Sequence, residues 1–328
     1  MRAFEYAAPR TAIEAVELVT TRPGSAFLAG GTDLLALMKD DVARPERLVD
    51  VKGIPELRQV RADAQGLRIG AAVTMRELSE NATIRAGYPA ILQAIDGIRS
   101  PQIRERGTIA GDLCQRPRCW YFRAGFGLLA QKDGRSMVVD GDNRYHAILG
   151  NAGPAYYVHP SSLAPALLAL GARVAIQGVQ LSNTVVLGSF FQTPRREGER
   201  EVALAPDDLI TEIVVPPPDG SKTATYEVRQ KEALDWPLAA ASVKLDLDAG
   251  IVRRARVVLG HVAPVPWVAQ AAEKLLVGKA ITEDTAAQAG RAAVEGARAL
   301  SRNGYKIRLA SVAVKRALLR AAGKEVPA

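Results

Sequence analysis

Two short glycine segments have the residue types and spacing to do chemistry. Leu28-Ala-Gly-Gly-Thr-Asp-Leu34 leads from an apolar stretch into a helix start, and Thr108-Ile-Ala-Gly-Asp112 combines a hydroxyl, a glycine and an acid. Glycine lets backbone approach a ligand closely, and the N–H groups at a helix start favour an anion. Such segments can cradle a phosphate. The same residues also build ordinary turns, and local sequence alone does not separate the two readings. The fuller G-x-G-x-x-G pattern is absent, which argues against a Rossmann dinucleotide fold.

Other candidates offer less. His146, His159 and His261 lie far apart, none beside a nucleophile, so no hydrolase triad and no catalytic side chain are expected. Cys114 and Cys119 are the only cysteines, too few for a disulfide framework. A zinc site that adds His146 or His159 to them would match no established ligand spacing, so no metal site is expected. Trp120-Tyr121-Phe122 reads either as a hydrophobic anchor or as a shield or docking point for a redox partner.

The elements that must position these segments follow from pattern. Thr11 and Glu14 have capping-box spacing, with Ile13, Val16 and Val19 at helical intervals, which predicts a helix over 11–21. Pro23-Gly24 ends it. Ala26–Ala29 reads as a buried strand, and Thr32-Asp33 can cap a helix running to Lys39. Short strands follow at Leu48–Val51, Gln59–Arg61 and Leu67–Gly70, and Thr74 with Glu77 opens another helix. Pro89–Gly97 is helical. From Leu113 to Asn151 the pattern is irregular, as in a long functional insertion.

Order resumes at Tyr156–Val158, with a helix from Ser161 or Ser162 to Leu170 and a strand at Arg173–Gln177. The charge run Arg195–Glu201 reads as a solvated hairpin loop. Leu209–Val215 alternates as a strand and stops at Pro216-Pro217-Pro218-Asp219-Gly220, the strongest linker signal in the chain. Beyond it, strands near Thr225–Arg229, Ser242–Asp248 and Val252–Leu259 precede helices near Val268–Leu276, Glu283–Leu300 and Ile307–Ala322. Strands and helices in blocks predict an α+β C-terminal domain. Trp236 and Trp267 are expected in its core. The domain reading is 1–55 and 56–220, carrying an insertion at 113–151, followed by 221–328.

Composition excludes several classes. With 328 residues, 48% of them hydrophobic, the chain can bury several cores and is not disordered. The formal charge of +8 comes from scattered Lys and Arg with only 5% aromatics, so nucleic-acid binding is not expected. No apolar stretch approaches the roughly 20 residues of a membrane span, and no membrane insertion is expected. The N-terminus lacks the apolar core of a secretory signal. With so few cysteines, cytoplasmic residence fits, the alternative being export in complex with a signal-bearing partner.

Several segments in order resemble the FAD-binding medium subunit of the molybdenum hydroxylase (xanthine dehydrogenase) family. They are Ala29-Gly-Gly-Thr-Asp-Leu34, Ile98-Arg-Ser-Pro-Gln-Ile-Arg104, Gly107-Thr-Ile-Ala-Gly-Asp-Leu113, Val158-His-Pro-Ser-Ser-Leu-Ala-Pro-Ala-Leu167, Gly260-His-Val-Ala-Pro-Val-Pro-Trp267 and Asn303-Gly-Tyr-Lys-Ile307. The resemblance covers nearly the whole chain. It implies a two-part α+β FAD-binding fold of the vanillyl-alcohol-oxidase (PCMH) type plus an α+β domain like the CO dehydrogenase flavoprotein C-terminal domain. It also implies FAD held by Ala29, Gly30, Gly31, Thr32, Asp33 and Leu34 on one side and Thr108, Ala110, Gly111 and Asp112 on the other. Gln115, Arg116 and Ser162 are further candidates by position.

The implied partners are a molybdopterin-binding large subunit, a [2Fe–2S] small subunit and an external electron acceptor. The insertion is similar to that of aldehyde oxidoreductase flavin subunits that carry a [4Fe–4S] cluster, through Gln115-Arg-Pro-Arg-Cys-Trp-Tyr-Phe-Arg123 and Gly141-Asp-Asn-Arg-Tyr-His-Ala-Ile148. Here Leu128 and Ser136 stand where those relatives have cysteines, so no [4Fe–4S] cluster is expected. Ser162 replaces the family's usual acid; it is read either as a neutral cofactor contact or as a helix N-cap. An alternative to the redox role is a scaffold or assembly protein that keeps the fold with weak or no FAD. A free-standing FAD oxidase is a third reading.

Overall fold

The computed structural model describes residues 1–230 and 235–326, arranged around three main sheets. In the first, Glu5–Ala7 and Ser25–Leu28 flank Arg47–Asp50 and both run parallel to it. Parallel strands need a crossover, and the helix Ala12–Thr20 carries the chain from one outer strand to the other. Its Ala15, Val16 and Val19 pack with Val49 and Val51. The capping at its start is only half a box. Thr11 accepts from Glu14 N, but the Glu14 carboxylate accepts from Arg10 N instead of Thr11.

The second sheet is antiparallel throughout, in the order Val60–Asp63, Gly66–Gly70, Leu209–Val215, Arg173–Gln177, Ser182–Val186. Its central strand is the last in sequence, so the sheet closes only once residues 71–208 have been laid out. The core under it joins Leu67, Ile69 and Ile213 to Ile91 and Ile95 of the helix Pro89–Gly97 and to Leu167 of the helix Ala164–Ala169. The helix Met75–Glu80 starts with a complete capping box between Thr74 and Glu77.

The third sheet orders Lys222–Val228, Ala239–Asp248, Ile251–Gly260 and Trp267–Val268 as antiparallel neighbours. The helices Gln270–Leu276, Glu283–Ala293 and Tyr305–Ala321 complete its core through Leu276, Ala289, Val314 and Leu318. It is tied to the second unit by Thr225, whose hydroxyl donates to Ala90 O at 2.9 Å and whose amide donates to Gln93 Oε1 at 2.7 Å. No described helix is long and apolar enough to cross a membrane.

Four expectations need correction. The helix from Glu283 stops at Ala293 because the chain turns through left-handed Gly296 (φ +79°); Arg298 N then donates to Ile148 O at 2.7 Å. Trp236 is 40% exposed and stands at a cleft, leaving Trp267 to pack partly against the C-terminal core. The charge run is solvated only at its tip: Glu201 is 1% exposed and paired with Arg116.

The insertion, finally, has structure of its own. It contains the helix Trp120–Arg123, a hairpin of Gln131–Lys132 with Arg135–Ser136, and a small core uniting Phe122, Leu128 and Leu129 with Leu37, Ala155 and Tyr157.

The first and second units meet with almost no space at Gly30. A Cβ there would run into the Arg106 carbonyl oxygen and lie 3.2 Å from Gly107 Cα. Overpacking backbone against backbone costs about 1–3 kcal/mol. Gly30→Ala is therefore expected to lower the unfolding free energy by that amount, read from a denaturant titration, and an unchanged midpoint would refute the close approach.

Two imidazoles are buried where the units join. Burial drives His159 and His261 down to about 3, the charge of Lys306 adding to the effect at His261. The folded chain then binds fewer protons than the unfolded one between about pH 3 and 6.5, so stability is lost as pH falls through that window. His261 is left-handed (φ +61°), a conformation that Asn tolerates. His261→Asn should show a shallower loss of stability between about pH 7 and about pH 4.5, measured by denaturant titration; an identical slope would count against this linkage.

Candidate cofactor site

The strand Ser25–Leu28 delivers the first glycine loop to the mouth of a cleft, and left-handed Gly31 (φ +71°) turns it into the helix Leu34–Lys39. The amides of Gly30, Gly31, Thr32 and Asp33 donate to no acceptor among the described residues. Consecutive free amides ahead of a helix form a concave anion seat. The Thr32 hydroxyl is likewise uncommitted.

Asp33 occupies the N-cap position without capping. Its carboxylate reaches into the insertion instead, accepting from Arg116 N at 2.7 Å and Arg123 Nη2 at 2.7 Å and pairing with Arg118 Nη1 at 2.8 Å. One carboxylate thus serves two guanidinium groups, leaving a surplus positive charge beside the free amides.

The second loop works differently from the first. Thr108 is the N-cap of the helix Ile109–Cys114, and the four amides from Ile109 to Asp112 are already engaged. Ile109 N donates to Val73 O, Ala110 N to Ala71 O, Gly111 N to Thr108 Oγ1 and Asp112 N to Thr108 O. The loop is a rigid wall.

Asp112 anchors that wall from behind, accepting from the Ser161 hydroxyl, from Leu163 N at 3.1 Å and from Gln115 Nε2 at 2.8 Å. Burial pushes its carboxyl up to about 6, opposed by the hydrogen bonds from Ser161 and Leu163 N. Ser161 also accepts from Ala164 N at 2.9 Å, so the capping side chain of the helix Ala164–Ala169 is Ser161 and not Ser162. Ser162 instead lines the cleft with its hydroxyl free.

Of the sequence candidates, Thr32, Asp33, Thr108, Gly111, Asp112, Gln115 and Ser162 line this cleft of about 100 Å³. Ala29, Gly30, Gly31, Leu34 and Ala110 shape the loops without lining it, and Arg116 turns away to Glu201 and the ring of Phe122. Sequence reasoning missed Arg99, Arg118, Arg229 and Trp236, all in the lining. Arg118 is the most consequential. It donates to Gln115 Oε1 at 2.9 Å, lies 4.7 Å from the centre of the Trp236 indole, and keeps a buried Nε without a partner. Nothing in the pattern Arg116-Pro-Arg118 marks which arginine faces inward.

Arg118, Asp235, Trp236 and Pro237 also wall a second cavity of about 280 Å³. Its sides are the rings of Trp120, Tyr145 and Tyr157, with His146, His261 and Lys306 adding polar groups. His146 Nδ1, His261 Nε2 and the Tyr157 hydroxyl are buried there without partners. Cys119 Sγ lies 3.2 Å from His146 Nε2. Burial raises the Cys119 thiol and lowers His146 to about 4, so this is a neutral pair at pH 7, and Cys114 is pushed up to about 12. Among the described residues no three His, Cys, Asp or Glu side chains gather to hold a metal ion.

The geometry suits an elongated ligand with an anionic middle at the first cleft and a flat, hydrogen-bonding ring in the aromatic cavity. Residues 2–218 match the model of the FAD binding domain in molybdopterin dehydrogenase, and residues 224–321 that of the CO dehydrogenase flavoprotein C-terminal domain. The chain is similar to the aldehyde oxidoreductase FAD-binding subunit PaoB of Escherichia coli, with 33% identity over 84% of this chain and 86% of that one. It is 30% identical to the carbon monoxide dehydrogenase medium chain of Hydrogenophaga pseudoflava, with 96% of each covered. A solved carbon monoxide dehydrogenase from the same organism, lacking the Mo-pyranopterin moiety of its cofactor, superposes over 98% of both chains with a TM-score of 0.76 at 30% identity. This chain belongs to the family of FAD-binding subunits of molybdenum hydroxylases, and its activity is that of an oxidoreductase subunit.

Proposed function

We propose that the FAD diphosphate sits at the end of the free-amide row Gly30–Asp33, where Thr32 and Asp33 line the cleft, with Arg118 beside it, and that the flavin ring enters the adjoining aromatic cavity. The observation that carries this reading is the row of uncommitted amides ending at the surplus positive charge around Asp33. Thr32, Thr108 and Ser162 supply hydroxyls, and Gly111 keeps the wall low enough for close approach. Bound FAD supplies the two-electron redox chemistry, while the protein orients it and sets its surroundings. No side chain need act as acid, base or nucleophile.

In this reading the chain assembles with a molybdopterin-binding large subunit and a [2Fe–2S] small subunit. It receives electrons from the iron–sulfur centres and passes them to an external acceptor. The names of the relatives, one an FAD-binding subunit and the other a medium chain, support such an assembly. The insertion holds no [4Fe–4S] cluster. Leu128 is buried in the insertion's apolar core, the Ser136 hydroxyl accepts from the amides of Val138 and Val139, and two thiols fall short of the four that such a cluster takes. Cytoplasmic folding, with or without later export in complex, fits the same picture.

The two neighbouring arginines separate the roles. Arg118→Ala should weaken FAD binding at least about tenfold, a loss of about 1.4 kcal/mol, in a titration of FAD-free protein. Arg116→Ala strands the buried Glu201 carboxylate and should cost about 3 kcal/mol of stability with FAD affinity within about twofold of wild type. Equal losses of affinity in both would contradict this placement.

A further inference from the structure

Lys306 is the one buried charge in the ring cavity that the proposed function leaves without a task. It lies in the first turn of the helix Tyr305–Ala321, is 1% exposed, and lines the cavity. Its ammonium donates to three carbonyls: Tyr145 O at 3.0 Å, His146 O at 3.2 Å and His261 O at 2.8 Å. Among the described residues no carboxylate pairs with it. Asp235, the acid in the lining, stands at the wall shared with Arg118.

A structural role in joining the insertion to the His261 turn does not explain the charge. Asn303 makes the same kind of joint one helical turn earlier with a neutral amide, donating to His146 O and Ala147 O at 3.2 Å each. Burying an unpaired ammonium costs several kcal/mol more than burying an amide, and the positive end of a helix adds to that cost. The penalty shows in the group itself, since burial lowers Lys306 to about 7. Its neighbours His146 and His261 are both kept neutral, by burial first and by the Lys306 charge second. In its ammonium form Lys306 makes its side of the cavity wall positive, and the unpartnered His146 Nδ1, His261 Nε2 and Tyr157 hydroxyl leave hydrogen-bonding capacity for a ligand edge.

We propose that Lys306 makes this cavity prefer a negatively charged ring, so that bound FAD is held more tightly once reduced than while oxidised. This rests on the assignment of the cavity to the flavin. An oxidised flavin ring placed here would be neutral, and one reduced by two electrons with uptake of a single proton would carry one negative charge. The ammonium offsets that charge across the cavity. Lys306 is a positioning residue of the electrostatic kind: it acts through its field, with its own N–H groups already committed to backbone.

The test is the midpoint potential of the full chain loaded with FAD, titrated with dithionite against a redox dye, alongside FAD content from the visible spectrum. Lys306→Gln keeps amide donors for the carbonyls and removes the charge. It should reduce the preference for reduced over oxidised FAD about tenfold, which lowers the potential by about 30 mV for a two-electron couple. Lys306→Arg should stay within about threefold of wild type.

Gln230→Glu places a carboxylate in the same lining without touching Lys306 or its carbonyls, and should shift the potential in the same direction. It decides the matter should Lys306→Gln fail to fold or to load. A yellow wild type whose potential is unchanged in the loaded variants overturns the role of Lys306 alone. Wild type that takes up no FAD overturns the cofactor assignment as well.

Discussion

The site depends on a contact that leaves no room for a side chain: the backbone at Gly30 against the backbone at Arg106 and Gly107. That approach brings the loop after an edge strand of the parallel three-stranded sheet against the end of the helix Pro101–Arg106, with the cleft opening beside the seam. The two loops that meet there are chemically unequal. The first leaves its amides free, while the second spends its own on Val73, Ala71 and Thr108 and so becomes a rigid surface. On the proposed reading the first loop receives the anion and the second forms a rigid wall of the same cleft.

Asp33 extends this seam to the rest of the chain. Its carboxylate draws the insertion onto the first loop through Arg116 N, Arg118 and Arg123, and the insertion in turn provides Trp120 and Tyr145 to the aromatic cavity, which Tyr157 from just beyond it completes. The other wall comes from the C-terminal unit, pinned by Asn303 and Lys306 to carbonyls at 145–147. Three segments distant in sequence therefore enclose one volume. The insertion, in which Leu128 packs within an apolar core, stands as a structural bracket around the cavity.

Much of this is legible in the sequence. The strand, Gly-Gly turn and helix start at 25–39, the capping box at Thr74 and the linker at 216–220 are local signals, and local signals set local structure. Thr32, Thr108, Gly111 and Ser162 were found through motif order, and all four line the cleft. What stayed hidden was tertiary. No periodicity shows that Arg118 turns inward while Arg116 meets Glu201, or that Trp236 leaves the C-terminal core to stack under a guanidinium. Ser161 and Ser162 are interchangeable as caps on paper; the buried carboxylate of Asp112 decides between them. The unequal loops were equally invisible, since both read as glycine segments able to clamp one diphosphate, and the difference lies in where their amides find partners.

The central claim is that this cleft and cavity hold FAD and that the insertion holds no cluster. It is tested most directly by the visible spectrum and iron content of the purified full chain. The account predicts yellow protein with a flavin band near about 450 nm, about one FAD per chain, and iron at background. Colourless protein that refuses added FAD, or iron and sulfide at the stoichiometry of a [4Fe–4S] cluster, would contradict it.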